Sequence, residues 1–143
     1  LAAAGASLAA RAVQLIGSSH VHATPQDEAH ATLARKLTKE DGRIDWKQPA
    51  RAIHNRVRGF SPWPSCFASF QGAMLKVLRT SVEPASSIQH PASVLRIDGT
   101  GPLVGTGEAA LRLLEVQPEG KKPMSGADWA RGYRVEVGST FNV

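Results

Sequence analysis

The stretch IHNRVRGFSPWPSCFASFQGAMLKVLRTSV, Ile53 to Val82, changes its repeat halfway along, and the change decides the fold. Ile53, Val57 and Phe60 recur at i, i+4 and i+7, the spacing of one apolar stripe on a helix. Pro49, just upstream, suits a first helical turn. Pro62 and Pro64 each fix their own φ, remove an N–H and bias the preceding residue away from helical conformation, so the helix must end near Phe60. Past the prolines, CFASF and AMLKVLRTSV are apolar-rich extended runs divided by Gln71-Gly72, which predicts a hairpin.

Working downstream, SVLRID is followed by Gly99 and Gly101, PLVGT by Gly107-Glu108, and ALRLLEV by PEGKKP. Five short strands separated by glycine turns predict a small antiparallel, OB-like barrel or sandwich, with Gly99, Gly101, Gly105 and Gly107 as turn residues. Leu111 and Leu113 are expected to face inward and the intervening Arg112 outward. Ser125 and Asp128 have the spacing of a capping box and open a short helix that Gly132 stops. Phe60 and Trp63 are expected to be buried at the helix-to-barrel corner.

Upstream, LAAAGASLAARAVQLIG (Leu1 to Gly17) places Leu1, Leu8, Ala12, Leu15 and Ile16 at helical spacing, with Gly17 as a stop. The polar run that follows holds Pro25 and Gly42 and almost no large apolar residues, so it reads as a connector. Within it Thr32 to Leu37 is expected to form a helical turn. The predicted organisation is a helix over 1–17, a linker over 18–45 and a mainly β domain over 46–143.

The 143-residue chain is 42% hydrophobic and 20% charged, which suits one globular core. No apolar run approaches the roughly 18 residues of a membrane span. A single cysteine, Cys66, excludes an internal disulfide framework and reads as a buried small hydrophobe. The sequence opens on Leu1 without a targeting segment and reads as a piece of something longer. Charge is unevenly placed: residues 1–45 carry five Lys/Arg and five acids, whereas residues 46–143 carry twelve against seven, the whole net charge of +5. The second part is therefore suited to a polyanion.

Enzymatic constellations are poorly represented. There is no GxxxxGK[ST] loop. His20, His22 and His30 lie in the polar connector without acidic or thiol partners at metal-ligand spacing, so no metal is expected. His54 and His90 are isolated. Glu40 and Asp41 read as local salt partners of Lys39 and Arg43 rather than an acid/base pair. Binding chemistry is better represented. Lys121-Lys122 stand in a loop between Gly120 and Pro123, suited to phosphate contact without base readout. Lys76 and Arg79, three apart on one strand, fall on opposite faces unless the strand twists or bulges.

Three strings, TPQDEAHATLARKLTKEDGRIDW (Thr24 to Trp46), RGFSPWP (Arg58 to Pro64) and VQPEGKKPMSGADWARG (Val116 to Gly132), together resemble methionyl-tRNA formyltransferase in order and spacing. The family joins a Rossmann-like catalytic domain, which takes formyl from 10-formyltetrahydrofolate, to a C-terminal OB-like barrel that helps bind initiator tRNA. The resemblance implies that Leu1 to Gly17 closes the catalytic domain and that Trp46 to Val143 is the barrel. It places Arg56, Arg58, Lys76, Lys121, Lys122, Lys36 and Lys39 against tRNA. No residue here matches the family's catalytic Asn, His and Asp, so the chain is expected to hold no cofactor and to be inactive alone. Location would be the bacterial cytoplasm or an organellar matrix or stroma. A non-catalytic fragment acting as a subunit of a larger assembly is the alternative. Formyltransferases of nucleotide-sugars and formyltetrahydrofolate dehydrogenases share the two-domain plan.

Overall fold

The computed structural model describes residues 1–18, 21–84 and 90–142 and divides into two units, Leu1–Arg35 and Lys36–Val143. The first unit contains α1, Ala2–Gly17, and a single 3-10 turn at Glu28–His30 capped by the Asp27 carboxylate. The apolar side chains of α1, among them Leu8, Leu15 and Ile16, are exposed. Thr32 to Leu37 does not form the expected helical turn; nothing covers the lone Leu33, which is fully exposed, and an isolated turn without a buried face has little to stabilise it. No helix among the described residues is long and apolar enough to cross a membrane.

In the second unit α2, Ala50–Gly59, is followed by the strands β1 (Cys66–Phe70), β2 (Ala73–Glu83), β3 (Val94–Asp98), β4 (Gly101–Gly105), β5 (Ala110–Pro118) and β6 (Met124–Ser125). The short helix α3 (Gly126–Gly132) and β7 (Phe141–Asn142) complete it. All the strand pairs are antiparallel, in the order β3-β4-β5-β2-β1-β7, with β6 added to β5. Phe141 N–H donates to Ala92 O and Val94 N–H to Ser139 O, and Ser93 bridges Thr140, so the chain entering β7 also bonds beside β3. The sheet thus curls round on itself as the expected small barrel, and its two open edges are largely removed.

The core is one cluster. Ile53 and Val57 of α2 pack with Leu75 and Val77 of β2, Leu111, Leu113 and Val116 of β5, and Trp46, Trp129, Phe70 and Phe141. Trp46 lies 4.8 Å from Phe141 and Phe70 5.1 Å from Trp129, ring centre to ring centre. Ser125 caps α3 as the spacing predicts, its Oγ accepting from Asp128 N–H at 3.0 Å. The backbone approaches closely at Gly107, where a Cβ would stand 1.9 Å from Lys47 O. This close approach lets the residues before α2 lie against the β4–β5 connection.

Several expectations are corrected. Gly101 and Gly105 lie within β4 rather than in turns; Gly101 has φ +125°, and a side chain there would strike Leu113 O. Two two-residue strands, β6 and β7, carry too few residues to show an alternation. Phe60 is only half-buried and Trp63 is 58% exposed. The corner is closed instead by Pro64, which is buried, by Ser65 N–H donating to Phe60 O at 2.9 Å and by Ser65 Oγ donating to Pro62 O at 2.7 Å. Ser61–Pro62 and Trp63–Pro64 are cis peptide bonds.

Arg112 does not face solvent. It is 3% exposed, with Nη1 donating to Asp98 Oδ1 at 2.8 Å and to Gly101 O at 2.7 Å, while Nε and Nη2 engage the Glu83 carboxylate. Alternation correctly places it on the face opposite Leu111 and Leu113, but carboxylates from β2 and β3 cover it there. The Thr100 hydroxyl and N–H, and then Arg112, hold Asp98 down at about 2. The hydrogen bond from Arg112 lowers Glu83 as well. Because both folded values lie below the unfolded ones, their contribution is complete above pH about 5 and fades as the pH falls toward 2. Arg112→Ala should lower the unfolding free energy by about 3 kcal/mol in urea titrations at pH 7, the low end for a broken buried pair because both carboxylates reach solvent. The difference from the parent chain should shrink when the titration is repeated at pH 3.

Candidate nucleic-acid interface

From Trp46 to Val82 the chain contains no Asp or Glu, yet carries Lys47, Arg51, Arg56, Arg58, Lys76 and Arg79. These residues build α2, β1 and β2, which are neighbours: α2 packs on β2, and β2 pairs with β1. These elements therefore carry cations with no acidic residue in their own stretch of sequence: Arg51 and Arg58 on the exposed side of α2, Lys76 and Arg79 on the outer face of β2.

A pair of register shifts decides which face the strand cations take. Val77 opposes Val116, Arg79 opposes Glu115 and Thr80 opposes Leu113, so Leu78 is an extra residue on β2 and Leu114 on β5. The bulge moves the buried positions from Leu75 and Val77 to Thr80, and Lys76 and Arg79 both emerge exposed. Simple alternation would have separated them. On the same outer face Lys76 is flanked by Phe67 of β1 and Gln117 of β5. Gln117 Nε2 donates to Lys121 O at 2.8 Å, tying the loop that bears exposed Lys121 and Lys122 to the strand beside Lys76. A surface recess of about 220 Å³ lies between them, lined by Met74, Lys76, Gln117, Pro118, Glu119 and Gly120.

Other cations are occupied by carboxylates. Arg43 meets Glu40 at 3.2 Å, Arg96 meets Glu83 at 3.1 Å and Asp98 at 3.3 Å, and Arg131 meets Asp128 at 3.3 Å. Arg51, Arg58, Lys76, Arg79, Lys121 and Lys122 form no ion pair among the described residues. Glu40 thus serves Arg43 as expected, whereas the Asp41 carboxylate accepts from Thr38 N–H at 2.7 Å to cap the 3-10 turn Lys39–Gly42. Lys36 and Lys39 are exposed at this end of the unit.

The two arginines singled out on α2 are differently placed. Arg56 is half-buried: Nη2 donates to Asp41 O, and the guanidinium stands 5.5 Å from the Phe60 ring centre, clamping α2 to the 3-10 turn. Arg58 is exposed, on the same side of the helix as Arg51. Between them His54 shares a 2.9 Å hydrogen bond between Nδ1 and Thr80 Oγ1. Burial lowers the His54 pKa, and Arg58 and Arg51 lower it further. Cys66 is buried, and its burial raises the thiol pKa, as for an inert core residue. Among the described residues no three His, Cys, Asp or Glu side chains group as metal ligands.

The family model described as formyl transferase, C-terminal domain, matches residues 36–134, beginning where the compact unit begins. The chain belongs to this formyl transferase C-terminal-domain family. Methionyl-tRNA formyltransferase of Solibacter usitatus is 46% identical over 136 residues, covering 94% of this chain and 43% of the relative. That of Chloroflexus aggregans is 40% identical over 129 residues, covering 90% and 42%. The chain thus spans less than half the length of these relatives. Among solved structures, a HypX variant from Aquifex aeolicus superposes with a TM-score of 0.63 at 18% identity, covering 92% of this chain and 23% of HypX. HypX in complex with tetrahydrofolic acid gives 0.61 at 19% identity, covering 88% and 22%. At such identities the likeness shows that this formyl transferase C-terminal domain and a part of HypX share a fold.

The gap between Arg56 and Arg58 can be measured. Arg56→Gln should cost about 1–2 kcal/mol in urea unfolding, because it removes a charged hydrogen bond. Arg58→Gln should leave stability within about 0.5 kcal/mol.

Proposed function

We propose that this chain is the tRNA-holding C-terminal part of a methionyl-tRNA formyltransferase, which grips initiator tRNA electrostatically while formyl transfer takes place on residues outside it. The observation that carries this reading is the set of unneutralised cations on α2, β2 and the 118–123 loop, in a domain 46% identical to part of such an enzyme. Guanidinium and ammonium groups on exposed, flexible stems suit phosphate oxygens, and contacts of this kind position an RNA without reading its bases. Arg58, Lys76, Lys121 and Lys122 are the principal contacts, with Lys36 and Lys39 extending the grip along the entry to the domain. Arg56 supports α2 from behind.

The formyl donor, 10-formyltetrahydrofolate, is a substrate of the whole enzyme. The apolar recess beside Phe70, Trp129 and Tyr133 measures about 20 Å³, room for about one water and far too little for a pteridine ring. That recess does not fit the folate, and no step of the transfer is assigned to the described residues. The module acts by holding one reactant so that its reacting end is presented elsewhere, which converts a bimolecular encounter into a positioned one. A second reading, a subunit of a larger assembly, draws on the exposed Leu8, Val13 and Ile16 of α1, a helix with no buried residue.

Lys76→Glu, Lys121→Glu and Lys122→Glu combined should weaken initiator tRNA binding by at least about tenfold in filter binding at 100 mM salt. The slope of log K against log[salt] should flatten by about 2–3, roughly 0.9 per lost phosphate contact. An unchanged slope, or equal affinity of the parent chain for a nucleotide-sugar and the tRNA, would refute the assignment.

A further inference from the structure

The outward side of α2 presents Arg51, Asn55 and Arg58 at i, i+4 and i+7, opposite the buried Ala50, Ile53 and Val57. His54 lies beside that stripe, half-buried, with Nδ1 engaged by Thr80. Its Nε2 has no hydrogen-bond partner among the described residues. We propose that Arg51, His54 and Arg58 form a seat for a phosphodiester group of RNA, and that the seat tightens when the imidazole takes up a proton. This rests on the RNA-binding reading above and adds Arg51 and His54 to it.

The geometry supports the proposal in three ways. First, the guanidiniums that act on His54 are those of Arg58 and Arg51. Neither arginine forms an ion pair among the described residues. Like charges left in proximity without a counterion cost the folded domain free energy, and a bound polyanion removes that cost. Second, no carboxylate pairs with these side chains: Glu108 lies beside the start of α2, its carbonyl accepting from Ala50 N–H, but it is exposed and forms no ion pair among the described residues. From β2 the facing polar group is Thr80; Glu83 is held by Arg112 and Arg96, and Arg79 and Glu115 occupy the sheet's other face. From β5 the residues turned toward the core are Leu111, Leu113 and Val116. Third, the Thr80 hydroxyl fixes the ring through Nδ1 whichever of the two carries the shared proton. A protonated Nε2 can then donate to a phosphate oxygen bound by the neighbouring arginines, a charge-assisted hydrogen bond.

The linkage has a definite sign. Without RNA, burial first and then Arg58 and Arg51 keep the imidazole neutral at pH 7. A phosphate bound there offsets the arginine charge, so the pKa rises on binding, and RNA must bind more tightly as the pH falls. The test measures initiator tRNA binding by the 143-residue chain at pH 7.5 and 5.5, alongside His54→Gln, Arg51→Gln and Arg131→Gln. The last is a control whose arginine already meets a carboxylate. The parent should bind about five- to tenfold more tightly at pH 5.5. His54→Gln should lose most of that gain, and Arg51→Gln should weaken binding at both pH values by about threefold or more. In the parent chain, NMR titration of the His54 ring should give a higher pKa with tRNA than without, a readout that needs no variant to fold. If the parent binds tRNA but His54→Gln keeps the full pH response, or the ring pKa does not move, the seat is refuted while the RNA-binding reading stands. If the parent fails to bind tRNA at either pH, both fall together.

Discussion

The apolar seam between α2 and β2 holds together a stretch of chain whose charges repel. Ile53 and Val57 from the helix meet Leu75 and Val77 from the strand in one buried cluster that also takes in Trp46. Each fully buried side chain of this kind is worth about 1.5–3 kcal/mol. Exposed like charges at helix spacing cost only a few tenths each. The core can therefore carry Arg51 and Arg58 on α2 and Lys76 and Arg79 on β2 with no acidic residue between Trp46 and Val82. Their burden is small enough to persist.

Four other cations show the contrast. Arg112, Arg96, Arg43 and Arg131 each meet a carboxylate, and in the unit Lys36–Val143 all of those carboxylates lie outside the Trp46–Val82 run. Arg112 helps to join β2, β3 and β5 through Glu83 and Asp98 and serves the barrel alone. Arg56 is likewise committed to the Asp41 carbonyl and the Phe60 ring. Net charge thus overstates the cations available to a ligand; those on α2, β2 and the loop after β5 are available, as are Lys39, Lys47 and Arg134, which are exposed and form no ion pair among the described residues.

Much of this was legible in the residues themselves. The helix stripe, the two prolines, the Gln71-Gly72 turn and the Ser125 cap announce elements through local chemistry, and those elements are present. Legibility failed where a residue's setting depends on distant strands. Arg112 follows the alternation of its strand, but its burial depends on Glu83 and Asp98, which are 29 and 14 residues away in sequence. Lys76 and Arg79 share a face because of a bulge defined only by the pairing with β5. Trp63 was expected inside because tryptophan is large and apolar, whereas Pro64 and the Ser65 hydrogen bonds close the corner without it. Gln117 carries no charge, and its part in anchoring the Lys121 loop is a matter of geometry alone.

Amide chemical-shift mapping of the 143-residue chain during titration with initiator tRNA tests most directly whether these uncommitted cations meet RNA. The largest changes should fall on α2, on β2 around Lys76 and Arg79, and on the loop from Glu119 to Pro123, with α3 and the β3–β4 turn little affected. Changes concentrated on α3 and the β3–β4 turn, with α2 and β2 silent, would contradict it.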